Sequence, residues 1–265
     1  MMAPRRKISA VITLLLVTPL VAEYLLGDLP LKLLSALIVL APAYGGGALL
    51  IRETARRTGR GWPTMLMLGA AYALINEGLV TQSLFNPDYL KMHLHLLDHA
   101  PMPALGLGGW WTVFMFNLHT FWSMGVSIAL VEALFPAERE APWLGLVGDC
   151  VVAIVFVLGA AANFGLGWKQ NGFVATHSQL LGAAGLSVLL GMSAFAIRAR
   201  RSRMAVGRVP SVWLAGGITF LLGLGILYTP PNWGWGAVGA LLALDGVFLG
   251  PVSYTHLTLP TNREV

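Results

Sequence analysis

Glu77 and His119, each set inside a long apolar run, are the residues of this chain whose types and spacing best suit chemistry. A carboxylate within reach of an imidazole can accept a proton, or hold a water while the pair deprotonates it. Such groups are rare inside a bilayer, where a charge at mid-helix costs at least about 2.5–3.5 kcal/mol. Glu77 lies fourteen residues along the segment 63–84, which at the helical rise places it about 21 Å across. His119 is nine residues into the next apolar segment, which runs the other way, so it lies about 13 Å deep from the far edge. The two sit within about one helical turn of the same level. Gly69, Ala73 and Thr81 share the face of Glu77, a small-residue stripe of the kind that meets other helices.

Other polar residues fall at similar depth: Glu23, Asn76, Gln82, Asn117, Asn163 and His177. Two readings compete. A polar network can fix helix register, each hydrogen bond adding about 0.6 kcal/mol. Alternatively, Glu77, His119 and His177 form a site. An ionisable pair is an expensive way to fix register, which favours the site. The remaining acids within or at the ends of the helices are Glu53, Glu132 and Asp149, expected at helix ends where the interface solvates them, and Asp245 on the last helix.

The elements that must carry these residues follow from composition. Of 265 residues, 56% are hydrophobic and 11% charged, too few charges to cover a water-facing surface but suited to a lipid-facing one. The fold class is therefore all-α: a polytopic transmembrane helix bundle of about eight helices. The segments read as 8–26, 30–51, 63–84, 110–135, 143–163, 176–197, 211–228 and 236–250. No small-residue cleavage site follows the first, so it reads as a retained helix. With the N-terminus cytoplasmic, thirteen Lys and Arg fall on the inner side and three, Lys32, Lys91 and Lys169, on the outer side. That asymmetry sets orientation and implies a multi-pass protein of the plasma (inner) membrane, its Glu/His zone in the outer half. It also accounts for the +5 net charge without nucleic acid. The partners implied are the lipid bilayer and, at the arginine-rich inner loops such as 198–208, anionic lipid head groups.

Three local features add to this. Ala41-Pro42-Ala43-Tyr44-Gly45-Gly46-Gly47 predicts a kink or break in the second helix, or a glycine face for close packing. The outer loop 85–109 carries His93, His95, Asp98 and His99. Leu90, Leu94 and Leu97 there share a face, which predicts an amphipathic surface helix; a zinc site would need a convergent second pair of ligands that the sequence does not supply. The single cysteine, Cys150, lies in an apolar run and reads as a small packing residue. No internal repeat is present, and neither metal nor cofactor is specified.

The last residues read differently. The apolar run from Ala237 fails near Gly250-Pro251, about 22 Å of helix against a core about 30 Å thick. The decapeptide Val252-Ser253-Tyr254-Thr255-His256-Leu257-Thr258-Leu259-Pro260-Thr261 resembles the reading-frame translation of a transposase-based sequencing-library adapter. We expect residues 1–250 to form one transmembrane domain, its eighth helix truncated, and 251–265 to be a non-native tail.

Asn76-Glu77-Gly78-Leu79-Val80-Thr81, then His119 one helix later and His177 two helices further, resembles the CPBP (CAAX prenyl endopeptidase-like) family of intramembrane proteases, whose pattern is EExxxR, FxxxH and HxxxN on successive helices. The resemblance spans residues 63–197 and implies catalytic roles for Glu77, His119 and His177. Asn76 stands at the first glutamate, Thr81 at the arginine, Met115 at the phenylalanine and Leu181 at the asparagine. The functions expected are thus a diverged CPBP-like hydrolase, a proton-coupled small-molecule carrier with Glu77 as proton acceptor, or a non-catalytic membrane scaffold.

Overall fold

A computed structural model describes residues 4–197 and 211–258, without the side chains of 4, 5, 212, 215 and 248–258. Among the described residues it is all-α with eight helices: α1 (Arg6–Tyr24), α2 (Leu31–Arg57), α3 (Trp62–Val80), α4 (Gly109–Leu134), α5 (Leu146–Asn171), α6 (His177–Ala196), α7 (Val212–Leu227) and α8 (Trp235–Thr258). The first six are long and apolar enough to cross a membrane, while the apolar parts of α7 and α8, Gly216–Leu227 and Trp235–Val247, are shorter. The arginine-rich run 198–208 lies outside the described residues, as do positions 259–265 of the tail. The backbone of α8 continues to Thr258, past the Gly250-Pro251 step.

The chain divides into two compact units, residues 4–96 with 115–197 and residues 97–114 with 211–258. In the first, α3 packs on α6 and α4, α2 on α5 and α1, and α1 on α4. Its core runs through Leu14, Leu49, Met65, Met124, Ile128 and Val131. Small residues let these helices approach: a Cβ on Gly47 would stand 2.5 Å from the Tyr72 ring, and one on Gly159 would stand 2.5 Å from Pro42. The glycine run thus packs closely, as expected, and the same stretch also departs from regular helix. α5 turns Val147, Val151, Ile154 and Val157 outward, the side-chain class that lipid solvates. Cys150 also faces outward and is not a packing residue.

Four π-helical turns interrupt the helices of this unit: Leu20–Tyr24, Ala41–Gly45, Ile75–Val80 and Leu118–Val126. Each widens the ring of backbone bonding by one residue, as in Leu25 N–H to Leu20 C=O and Thr81 N–H to Asn76 C=O, both 2.8 Å. A wide turn rotates the side chains after it by part of a turn and frees a carbonyl, a cost that such turns repay most often at functional sites.

The 85–109 loop corrects the sequence expectation. Instead of an amphipathic helix it holds a single 3₁₀ turn at Tyr89–Lys91 and a two-residue-per-strand antiparallel hairpin, β1 (Pro101–Met102) and β2 (Leu107–Gly108). Prolines 87, 101 and 103 deny helical hydrogen bonds, and Leu90, Lys91, His93 and His95 adopt positive φ. His95 and His99 therefore share no helix face. Among the described residues no group of three or more His, Cys, Asp or Glu is placed to hold a metal. In the second unit the hairpin leads into α4 at Gly109, whose N–H bonds the Ala100 carbonyl at 2.8 Å. Trp110 stacks there on Phe114 with ring centres 5.1 Å apart.

Candidate functional site

Every one of the four π-helical turns delivers a residue to the same place. The turn ending α1 carries Glu23, that in α2 carries Tyr44, that in α3 carries Asn76 and Glu77, and that in α4 carries His119. His119 Nε2 lies 2.8 Å from Glu77 Oε1. Asn76 Nδ2 donates to the same oxygen at 2.7 Å. The other oxygen, Oε2, accepts the Thr81 hydroxyl at 3.0 Å and, very closely, the Ser83 hydroxyl. Glu77 and His119 are 3% and 2% exposed, so this bonding happens without water. A carboxylate offers about four lone-pair positions, and here all four are taken.

The imidazole is set by the same bonds. A carboxylate receiving four donors only accepts, which assigns the proton to Nε2 and leaves Nδ1 as the acceptor of the neutral ring. Nδ1 is buried and has no hydrogen-bond partner among the described residues. Tyr44 and Tyr72 flank the ring, each with its centre 5.8 Å away, Tyr72 edge-on. Tyr44 lies beside the Glu23 carboxylate, and its hydroxyl accepts from Asn76 Nδ2 at 3.5 Å. A polar line thus runs from half-buried Glu23 through Tyr44 to the pair.

The structure brings together Glu77, His119, Asn76 and Glu23, but not His177. That histidine is exposed at the first turn of α6, where Thr176 and Gln179 form a reciprocal N-terminal cap. Gln82 is buried nearby but serves the chain, its Oε1 accepting the Ala175 N–H at 2.7 Å. Asn117 is buried with its Nδ2 unpartnered, and Asn163 is half-buried on α5. The sequence reading missed Tyr44, Tyr72 and Ser83. The Pro-Ala-Tyr-Gly-Gly break was the available signal for Tyr44, since an irregular turn in mid-helix aims whatever side chain it carries.

A family profile matches residues 12–229, which is most of the chain. The chain belongs to an uncharacterized membrane protein family. No curated protein and no solved structure matches it. The family segment contains all four π-helical turns and stops before α8 and the decapeptide at 252–261. The match gives a membrane protein family and lends no support to the CPBP resemblance. Two of the departures from that pattern, Asn76 and Thr81, are bonded directly to Glu77.

The segment matched by the family profile holds a second polar centre, and it corrects the expectation that Glu53 and Glu132 are solvated at the interface. Both are buried. Arg52, fully buried at 0% exposure, reaches Glu53 at 2.5 Å and Glu132 at 3.2 Å, and its guanidinium lies 3.6 Å above the centre of the Trp143 ring. Arg56 pairs with Glu132 at 2.6 Å and Arg57 with Asp149 at 2.6 Å. Arg52 also donates to the carbonyls of Glu138 and Arg139, while Glu53 accepts the N–H groups of Trp143 and Leu144. The loop between α4 and α5 is therefore folded around buried charges of α2. Adjacent residues of opposite sign, Arg52-Glu53, with Arg56 one turn on, were legible as a pair. That they would be buried was not.

Proposed function

We propose that this membrane protein works through Glu77 and His119 as a proton-binding pair, and that it serves as a proton-coupled carrier of a small solute. The observation that carries this is the unequal bonding of the two partners. Glu77 has no lone pair to spare, so it orients His119, whereas His119 Nδ1 is an open acceptor enclosed in protein. The ring can take a proton at Nδ1 and be stabilised as imidazolium by the carboxylate behind it, the role a carboxylate plays behind any catalytic histidine. Convergence of four wide turns on one pair supports a working site over a register lock, since a regular helix holds register at less cost.

A CPBP-like hydrolase would need Glu77 to hold the attacking water, and the four donors around it leave no place for one. The loop charges favour an orientation in which the Arg52 end is cytoplasmic and the pair lies toward the outside.

The test uses the full chain in lipid nanodiscs with ¹⁵N-labelled histidine. His119 should show an Nε2–H tautomer that becomes doubly protonated on acidification. In proteoliposomes with a trapped pH dye, a panel of amino acids, sugars, amines and carboxylates should include one that moves protons with it. His119→Ala should abolish that movement. A His119 whose protonation state does not change between pH 5 and pH 9 would overturn the proposal.

A further inference from the structure

Next to the pair is a cavity of about 10 Å³, the size that admits one water and nothing larger. Its polar lining comes from Thr81, Gln82, Asn86 and Asn171, and its apolar walls include Phe164 and Phe173. A buried water needs two to four polar partners, and the lining supplies both kinds. Asn171 Oδ1 is buried without a hydrogen-bond partner among the described residues. Leaving such an acceptor unpaired costs about 1–3 kcal/mol, so it calls for a donor. Asn86, itself buried, spends its Oδ1 on the Asp88 N–H at 3.0 Å and keeps its amide N–H groups to donate. Gln82, also buried, uses its Oε1 on Ala175 and makes only a long 3.4 Å bond from Nε2 to the Leu79 carbonyl.

Thr81 gives this cavity its meaning. It lines the cavity, and its hydroxyl donates to Glu77 Oε2 at 3.0 Å. We infer that one ordered water bound by Asn171, Gln82, Asn86 and Thr81 is the proton mouth of the Glu77–His119 pair. The water donates to Asn171 Oδ1 and to Thr81 Oγ1, and accepts from an amide N–H of Asn86 or Gln82. As it passes a proton to Thr81 Oγ1, Thr81 passes its own to Glu77 Oε2, and the water regains one from bulk. Thr81 and the water end neutral and Glu77 ends as the acid, so one proton is loaded on the carboxyl side of the pair while His119 stays neutral, its Nδ1 still an acceptor. The hydroxyl thus links the surface to a pair that solvent does not touch directly. The role of this water rests on the proton-binding reading, but its occupancy does not.

The experiment is water-to-side-chain magnetisation transfer in nanodiscs on the full chain with ¹⁵N-labelled Asn, Gln and His. A slowly exchanging water should give cross-peaks to the side-chain amides of Gln82 and Asn86. Asn171→Leu should remove them, and Asn171→Asp, which keeps an acceptor, should retain them. Deuterium exchange at His119 Nε2–H should slow about ten-fold in Asn171→Leu, the size of one lost hydrogen bond in the path, with its tautomer unchanged. Absence of the cross-peaks in both wild type and Asn171→Asp overturns the water site, whatever becomes of Asn171→Leu. Cross-peaks present but exchange unaltered in Asn171→Leu overturns the relay. The proton-binding reading is judged separately, by whether His119 titrates.

Discussion

Replacing Glu77 in two ways separates its structural from its chemical role. In Glu77→Leu four donors lose their acceptor, but not all are stranded. The Thr81 hydroxyl already lies 3.1 Å from the Asn76 carbonyl and can turn to it, and Asn76 Nδ2 has the Tyr44 hydroxyl at 3.5 Å. The His119 Nε2–H loses the carboxylate oxygen it donates to at 2.8 Å. One buried donor left unpaired costs about 1–3 kcal/mol, to which the loss of the charged acceptor adds. In Glu77→Gln the amide oxygen can still accept from His119 and Asn76, while the amide N–H₂ replaces Oε2. Thr81 again turns to Asn76, and Ser83, a hydroxyl free to rotate, accepts rather than donates. What is lost is the charge on the acceptor, about 1–2 kcal/mol. Unfolding of the purified chain by SDS titration in mixed micelles, followed by tryptophan fluorescence, should therefore rank wild type above Glu77→Gln above Glu77→Leu. Proton uptake by His119 should weaken in Glu77→Gln despite its near-native stability, because no carboxylate remains to stabilise the imidazolium. Glu77→Leu within about 0.5 kcal/mol of wild type would show that the four donors are not buried on this carboxylate and would refute the geometry. Glu77→Gln with unchanged His119 titration would refute the pairing.

Arg52→Met should destabilise the chain by about 3–5 kcal/mol in the same titration, since it leaves the buried carboxylates of Glu53 and Glu132 short of their counter-ion; a loss under about 1 kcal/mol would mean that the centre is hydrated. Reporter fusions at residues 58 and 140 should report cytoplasm and those at 95 and 170 the exterior, as the loop charges require; a cytoplasmic signal at 95 reverses the orientation. Adapter-free resequencing across the 3′ end should replace residues 252–261 with a different sequence, and recovery of the same decapeptide from an independent library would make it native.

How much of this was legible depends on the range of the physics involved. Membrane class, helix number and the pairing of Glu77 with His119 follow from rise per residue, apolar length and the cost of charge in lipid, all of which act along a single helix. The depth argument brought Glu77 and His119 to one level because it needs only counting. His177 passed the same count and failed in space, because depth fixes height along the membrane normal and leaves azimuth free. Azimuth is set by packing, and here also by the π-helical turns, which shift the phase of every side chain beyond them and are not encoded in apolar period. Leu118–Val126 carries no proline, and its phase shift shows only in the π-helical backbone of the folded chain. The Arg52 centre was misread for a related reason. Position near a helix end suggests solvation, but the α4–α5 loop folds back through Trp143 and covers Arg52, so that burial came from a residue the apolar pattern had assigned to the next helix. Sites assembled from one residue per helix are therefore half visible in sequence: the expensive residues identify themselves, and Tyr44 and Ser83, which complete their bonding and are cheap anywhere, do not.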